Sequence, residues 1–111
     1  MEILLNEKND ITIIDVKGPV DLYHSGKLKD AIEKKISEGG RKFIINLEKV
    51  EYIDSSGIGS LISSMQNLKK VSGSLALLKL TEPVEKVFKL TRLDGFFKIY
   101  KSEEEAVSAM G

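Results

Sequence analysis

A run of seventeen residues carries most of the structural signal: Phe43-Ile44-Ile45-Asn46-Leu47-Glu48-Lys49-Val50-Glu51-Tyr52-Ile53-Asp54-Ser55-Ser56-Gly57-Ile58-Gly59. Its beginning, together with Lys42, is apolar enough for a central strand that is covered on both faces. Its end starts a helix with one apolar face, formed by Ile58, Leu61, Ile62, Met65 and Leu68, which stops near Gly73. In folds whose strands alternate with helices, functional groups gather where the C-terminal end of a strand meets the following helix. We therefore expect the functional residues at the junction between Leu47 and Ser55.

The residues before this run predict a hairpin and a helix. A short apolar segment, Ile3 to Asn6, is followed by the turn signal Asn9-Asp10 and by a β-branched strand, Ile11 to Val16. Two strands so close together are expected to pair in antiparallel orientation. Between Ser25 and Glu38 apolar residues recur at helical intervals, and Gly39-Gly40 ends this helix.

The residues after the run predict two more strands and two more helices. Ser74 to Leu80 is typical of a strand, and Glu82-Pro83 opens a helix, since proline is favoured at an early helical position. The residues of this helix expected to face inward are Val84, Val87 and Phe88, with Leu90 as a further candidate. Phe96 to Tyr100 is expected to be the last strand, with one aromatic ring packed inward. Ser102 to Met110 is expected to be the last helix, with an acidic first turn that suits its dipole.

The elements therefore follow one another in the order β-β-α-β-α-β-α-β-α. Strands that alternate with helices imply right-handed crossovers and a largely parallel sheet. The predicted fold class is α/β, with a mostly parallel sheet of four to five strands and helices packed on it. A chain of 111 residues suits one hydrophobic core, so a single domain over residues 1–111 is expected.

Composition argues against several classes of function. Apolar residues make up 41% of the chain and charged residues 31%, and 17 basic residues balance 17 acidic ones. A nonspecific nucleic-acid binder needs a basic surplus, so DNA and RNA are not expected as direct partners. The absence of cysteine excludes disulfides, thiolate nucleophiles and cysteine-based metal sites. The sequence has no recognisable signal peptide or membrane span, so a cytoplasmic location away from membranes is expected.

The segment from Asp54 to Gly59 combines helix-capping residues with glycines. Aspartate and serine are both strong N-cap residues, so either Asp54 or Ser55 could cap the second helix. A glycine in a first helical turn costs about 1 kcal/mol relative to alanine, so Gly57 and Gly59 need a reason. They either permit tight packing against a neighbouring strand or leave the helix start bare for an approaching protein, and both explanations can hold together.

A serine hydroxyl at a helix N-terminus is also well placed to carry a phosphate. The positive end of the helix dipole and free N–H groups would stabilise roughly two added negative charges. Asp54, and Asp21 from the loop after the second strand, would oppose them by repulsion. The expected result is an abrupt change of surface potential rather than a change of the core, which suits a binding switch. These arguments alone leave Ser55 and Ser56 as equal candidates.

The same run closely resembles the core signature of the STAS domain, and specifically that of bacterial anti-sigma factor antagonists. The resemblance extends to Gly18-Pro19-Val20-Asp21, to Gly73-Ser74-Leu75 and to the pattern Val87, Phe88, Leu90, Thr91 and Leu93. It covers nearly the whole chain and agrees with the predicted order of elements. The chain departs from the pattern at Pro19, where many relatives carry glutamate, in the loop that is expected to face the partner.

The resemblance implies a regulatory binding module rather than an enzyme. In that family the unphosphorylated antagonist binds an anti-sigma factor and frees a sigma factor for transcription. The anti-sigma factor is itself a serine kinase that uses ATP to phosphorylate the antagonist and then releases it, and a PP2C-type phosphatase restores binding. The phosphoacceptor is the serine directly after the motif aspartate, which here is Ser55. The implied neighbours and partner-binding residues are Asp21, Asp54, Ser56, Gly57, Ile58 and Gly59.

Three alternatives compete with this hypothesis. A STAS domain can instead be an accessory subunit of a membrane transport or lipid-trafficking complex. A hydrolase using Ser55 and His24 would lack the Gly-x-Ser-x-Gly elbow, and His24 is expected to be a surface or helix-start residue. Nucleotide binding by Gly57 and Gly59 would lack the lysine of a P-loop, since Ser60 stands in its place. Some STAS relatives bind nucleotides weakly, so this third alternative stays open. We expect no cofactor and no metal.

Overall fold

The first two strands form the predicted antiparallel hairpin. In the computed structural model, which describes all 111 residues, β1 (Glu2–Lys8) pairs with β2 (Ile11–Lys17) along its full length. Asn9 and Asp10 have φ angles of 53° and 67°. A two-residue type I′ turn requires this left-handed conformation at both central residues, and it matches the twist of the two strands.

The other strands continue the sheet from β2 in parallel orientation. They are β3 (Lys42–Lys49), β4 (Ser74–Leu78) and β5 (Lys98–Tyr100). The strands lie in the order β1-β2-β3-β4-β5, so each crossover places the next strand beside the previous one. The predicted α/β fold with a mostly parallel sheet is confirmed, and the sheet has five strands.

Four helices connect the strands or follow them. They are α1 (Ser25–Ser37), α2 (Ser55–Lys70), α3 (Glu82–Leu90) and α4 (Glu103–Met110). Gly39 follows α1 with a φ of 102°, as expected for a glycine that ends a helix. Ser102 caps α4 by accepting a hydrogen bond from the N–H of Glu105. None of these helices is both long and apolar enough to cross a membrane.

The sheet separates two apolar clusters of different size. The larger one has 19 buried residues and lies between the sheet and the helices α1, α2 and α3. The smaller one has five, Ile11, Ile13, Ile44, Leu78 and Ala106, and lies under α4. Successive residues of β3 enter opposite clusters, since Phe43 and Ile45 belong to the larger and Ile44 to the smaller. The prediction of a central strand covered on both faces is confirmed.

Two expectations near the C-terminus are wrong. Leu90 is 80% exposed, because it lies about 120° around α3 from Val84, away from the buried face. Phe96 and Phe97 precede β5, since a 3₁₀ turn (Leu93–Gly95) delays the strand until Lys98. One ring does pack inward as expected: Phe97 is buried, while Phe96 remains 43% exposed.

Candidate functional site

The residue before Ser55 caps α2. Asp54 has extended backbone geometry, with φ of −115° and ψ of −172°, as an N-cap residue should. Its Oδ1 accepts hydrogen bonds from the backbone N–H groups of Ser56 at 3.0 Å and Gly57 at 3.1 Å. Of the two capping candidates that the sequence left open, Asp54 is therefore the N-cap, and Ser55 is the first helical residue.

These capping bonds limit how an anion could be held here. The N–H groups of Ser56 and Gly57 are engaged by the Asp54 carboxylate, and that of Ile58 donates to the Asp54 carbonyl at 3.0 Å. Only the N–H of Ser55 itself is left. The expectation of several free N–H groups at this helix start is therefore wrong, and stabilisation of an added negative charge would come mainly from the helix dipole.

The two serines differ in accessibility. Ser55 is exposed, whereas Ser56 is half-buried. The hydrogen bonds of the capping turn use the Asp54 side chain and backbone groups, so they leave the Ser55 hydroxyl free. A kinase has to bring the acceptor hydroxyl to its nucleotide, and Ser55 is the better placed of the two serines for this.

The two glycines of the first turn have different surroundings. A Cβ added at Gly57 would lie 2.3 Å from the carbonyl oxygen of Val20 and 2.8 Å from Cγ1 of Ile53. A Cβ added at Gly59 would meet nothing within 4 Å. Each of the two explanations offered for these glycines thus holds at one of them: Gly57 permits close packing, and Gly59 leaves an open surface.

The loop after β2 packs against the start of α2. Val20 forms an isolated parallel bridge with Ile53, its N–H donates to the carbonyl of Tyr52 at 3.0 Å, and its carbonyl accepts from the N–H of Asp54 at 3.4 Å. The next residues on the two segments are Asp21 and Asp54. The fold therefore places these two acidic residues on neighbouring segments beside the first turn of α2.

Asp21 is held by a local network at the start of α1. Its Oδ1 accepts hydrogen bonds from the N–H groups of Tyr23 and His24, both at 3.1 Å, and lies 2.7 Å from Nδ1 of His24. Desolvation raises the pKa of the Asp21 carboxyl, but the hydrogen bonds and the charge of His24 outweigh it, so the pKa is lowered overall. Asp21 is therefore a carboxylate at neutral pH and carries a full negative charge.

His24 belongs to this network and makes no hydrogen bond to Ser55. It occupies the N-cap position of α1, which confirms the expectation of a helix-start residue. Its Nδ1 faces Asp21, so the arrangement does not form the nucleophile–base pair that a serine hydrolase needs.

Sequence reasoning missed an exposed apolar surface beside the turn. Leu22 and Tyr23, in the same loop as Asp21, are 68% and 88% exposed, and Tyr52 is 55% exposed. Exposed apolar side chains grouped at one place on the surface make this end of the molecule a candidate interaction surface. The available signal was the placement of these residues in the segments before Asp54 and after Val20, where no strand or helix buries them.

The remaining predicted site residues divide into buried and accessible ones. Gly57 and Ile58 are buried, so they shape the turn from beneath. Of the apolar face predicted for α2, the residues Ile58, Leu61, Met65 and Leu68 are buried, and Ile62 is half-buried. Gly59 is exposed and Asp54 half-buried. A partner that approaches this turn would contact these two, together with the serines.

Comparison with known proteins assigns the family. The STAS domain model matches residues 2–106 of the chain. The anti-sigma-B factor antagonist of Bacillus subtilis is 31% identical over 100 residues, which cover 90% of this chain and 90% of that protein.

Solved structures agree with this assignment. The crystal structure of a candidate anti-sigma factor antagonist from Thermotoga maritima has a TM-score of 0.92 and 26% identity, with 97% of this chain and 93% of that one covered. The Bacillus cell fate determinant SpoIIAA in its phosphorylated form has a TM-score of 0.77 and 27% identity, with 99% of this chain and 100% of that one covered. The chain therefore belongs to the STAS domain family, in the group of anti-sigma factor antagonists.

Proposed function

We propose that this protein binds an anti-sigma factor when it is unphosphorylated, and that phosphorylation of Ser55 abolishes the binding. The observation that carries the proposal is the position of Ser55: it is exposed, it is the first residue of α2, and it directly follows the capping Asp54. A relative supports the proposed phosphorylation, since structures of SpoIIAA are known in the unphosphorylated and in the phosphorylated form.

The switch would act through charge. A phosphoserine carries about −1.5 to −2 charges at neutral pH. At Ser55 this charge would lie beside the carboxylates of Asp54 and Asp21, and only one backbone N–H would be free to bind it. The dipole of α2 would offset only part of the negative charge of the phosphate. Because the nearby N–H groups already donate to Asp54, a concentrated negative patch would remain.

The docking surface would surround the switch. We infer that Leu22, Tyr23 and Tyr52 supply the apolar contacts to the anti-sigma factor, with Gly59 allowing close approach over the first turn of α2. Exposed aromatic residues commonly dominate the energy of such interfaces. A doubly charged phosphate in the middle of an interface would lose its hydration shell without gaining hydrogen-bond donors in return. This desolvation is strongly unfavourable.

The partners follow from the same scheme. The anti-sigma factor would itself be the serine kinase that modifies Ser55, and a PP2C-type phosphatase would remove the phosphate and restore binding. The freed sigma factor would then act in transcription, with no direct contact between this chain and nucleic acid.

The acceptor is tested by incubating the purified protein with an anti-sigma factor kinase and ATP and mapping the product by mass spectrometry. We expect one phosphate, on Ser55, and no phosphate on the Ser55→Ala variant. Ser56→Ala is the matched control, because it changes a neighbouring hydroxyl of the same turn, and it should be modified like the wild type. Efficient phosphorylation of Ser55→Ala would refute the assignment.

Binding is tested separately by titrating the anti-sigma factor with each form of the protein in a calorimeter. Phosphorylation should weaken the affinity at least about tenfold, which corresponds to 1.4 kcal/mol. In the unphosphorylated protein, Tyr23→Ala should weaken the affinity for the anti-sigma factor. Leu90→Ala, which removes an exposed apolar side chain on α3 away from the site, should leave the affinity unchanged. Equal affinity of the phosphorylated and unphosphorylated protein for the anti-sigma factor would refute the proposed switch.

A further inference from the structure

One edge of the sheet is open. β1 is the first strand in the sheet order, so no strand covers its outer side. Six of its seven residues are exposed, and Leu4 is 62% and Leu5 39% exposed. An uncovered edge strand with unpaired N–H and C=O groups is a template for pairing with another strand.

The hairpin determines which backbone groups of β1 point outward. The type I′ turn closes on the pair Lys8–Ile11, whose groups bond to each other across the hairpin. Hydrogen-bonded and non-hydrogen-bonded pairs alternate along an antiparallel ladder. The even-numbered residues of β1 are therefore bonded to β2, and the outward N–H and C=O groups belong to Ile3, Leu5 and Glu7.

We propose that two copies of this chain pair through β1 in antiparallel orientation, with Leu5 opposite Leu5 of the second copy. This register pairs all seven residues of the strand and aligns the outward groups of Ile3 and Leu5 with those of Glu7 and Leu5 in the other copy. It forms about six backbone hydrogen bonds, two for each outward pair. The result is a continuous sheet across both copies.

The charges of the strand favour this register. With Leu5 at the centre, Glu2 of each copy lies opposite Lys8 of the other, which gives two cross-strand pairs of opposite charge. Glu2 has no ion-pair partner within its own chain, and Lys8 has only a loose one, Glu103 at 3.7 Å, with both side chains half exposed. Shifting the register by two residues in either direction breaks both Glu2–Lys8 pairs and leaves part of the strand unpaired.

The side-chain positions are compatible with this pairing. Lys8 reaches α4 through Glu103, whereas Glu7 reaches Lys35 of α1 at 3.2 Å, so these two residues point to opposite faces of the sheet. Leu4 and Leu5 likewise point to opposite faces, and each would lose exposed apolar area when the second strand arrives. A two-fold axis at Leu5, perpendicular to the sheet, closes the assembly at two copies.

The same symmetry leaves Ser55 and the first turn of α2 accessible in both copies. Antiparallel pairing of the two β1 strands makes the parallel strands of the two copies run in opposite directions. The two Ser55 turns, each beyond the C-terminal end of β3, therefore lie at opposite ends of the joined sheet. A seven-residue edge buries less surface than a stable interface needs, so the dimer should be weak and form at high protein concentration.

The register is tested by charge reversal and sedimentation equilibrium. Glu2→Lys and Lys8→Glu each turn two attractive pairs into two repulsive ones, so each variant alone should dimerise roughly tenfold more weakly than the wild type. Mixing the two variants restores both pairs in the heterodimer: the two introduced side chains, of opposite charge, face each other at one end of the strand pair, and the native Lys8 and Glu2 face each other at the other end. The mixture should therefore associate about as well as the wild type.

Asp30→Lys is the matched control, because Asp30 is an exposed acidic residue of α1 outside the strand, and it should dimerise normally. Amide exchange measured by NMR gives a residue-level test: the N–H groups of Ile3, Leu5 and Glu7 should become protected as concentration rises, while those of Leu4 and Asn6 should be protected throughout. A wild type that stays monomeric up to millimolar concentration, or a dimer unaffected by the charge reversals, would overturn the proposal.

Discussion

At the scale of single residues, the first turn of α2 depends on Gly57 being without a side chain. The position is enclosed by the Val20 carbonyl and the Ile53 side chain, so Gly57→Ala must push the loop after β2 away from the helix. We expect this to destabilise the protein by about 1–3 kcal/mol, the usual effect of overpacking, despite the better helix propensity of alanine. Urea denaturation measures the loss.

Gly59→Ala is the matched comparison, since it makes the same change two residues further along the same helix. The added methyl group enters open space, so only helix propensity acts, and stability should rise by roughly 0.5–1 kcal/mol. Equal effects of the two substitutions would contradict the packing role of Gly57.

Asp21 gives the site a pH-dependent component. Because the folded-state pKa of this carboxyl is below the usual 3.8, the folded protein binds the proton less readily than the unfolded chain. The ionised Asp21 carboxylate therefore stabilises the fold fully above the pKa that it has in the unfolded chain. This stabilisation is lost as the pH falls through the pKa that it has in the folded protein. In urea denaturation, wild type should be more stable than Asp21→Asn at pH 7, and the difference should shrink below about pH 4. A difference that grew on acidification would contradict the hydrogen-bonded carboxylate.

The sequence could not separate residues of the same type that the fold treats differently. Ser55 and Ser56 offer the same hydroxyl, and apart from the family resemblance only their accessibility in the fold distinguishes them, since Ser55 is exposed and Ser56 is half-buried. Gly57 and Gly59 differ because Val20, far away in the chain, packs on one and not on the other. Such distinctions arise from long-range contacts, which local patterns do not contain.

At the scale of elements, the turn between β1 and β2 sets the edge of the sheet. Asp10 has a φ of 67°, which an ordinary residue adopts at a cost of about 1–2 kcal/mol. We expect Asp10→Ala to destabilise the hairpin by about 1 kcal/mol and Asp10→Gly to leave stability unchanged or raise it, since glycine is preferred there. Thermal unfolding of the two variants checks the contrast, and equal melting temperatures would argue against a type I′ turn.

Elements with strong periodicity were predicted well, and elements with mixed signals were not. The order of strands and helices, the hairpin and the doubly buried β3 are as predicted, because alternating patterns and glycine or proline boundaries agree there. The predicted last strand includes Phe96 and Phe97, but the 3₁₀ turn Leu93–Gly95 continues the connection from α3 and the strand starts only at Lys98. Tertiary packing of Phe97 against Phe88, with ring centroids 5.7 Å apart, decided that conformation.

At the scale of the whole molecule, the sheet brings the site together from distant parts of the chain. The bridge between Val20 and Ile53 joins the loop after β2 to the segment before α2, and Ser60 of α2 donates to the carbonyl of Ser25 at 3.3 Å. The acidic residues, the exposed apolar side chains and Ser55 thus share one end of the sheet. The sequence indicated the neighbourhood of Asp21 and Ser55 only through family resemblance, since no periodic pattern links them.

Phosphorylation at this end should alter the surface without altering the fold. The net charge of the chain is zero, so a phosphate on Ser55 would give the protein a net charge of about −1.5 to −2. Screening confines the field of this phosphate to about 8–10 Å at physiological ionic strength, whereas the molecule measures 31 × 27 × 24 Å. Ser55 faces outward, and the buried residues beneath it, Gly57 and Ile58, need not move to accommodate the phosphate.

We therefore expect the Ser55 phosphoprotein to keep its free energy of unfolding within about 1 kcal/mol, because the dipole of α2 offsets part of the repulsion from Asp54 and Asp21. In NMR spectra of the two forms, amide shifts should change around residues 20–24 and 52–60 and stay constant in β4, β5 and α4. The Ser55→Asp variant should show the same pattern with smaller amplitude, since it adds a single charge. Widespread shifts through β3 and α3 would mean that the phosphate acts by rearranging the core, and the charge-based explanation of the switch would then be wrong.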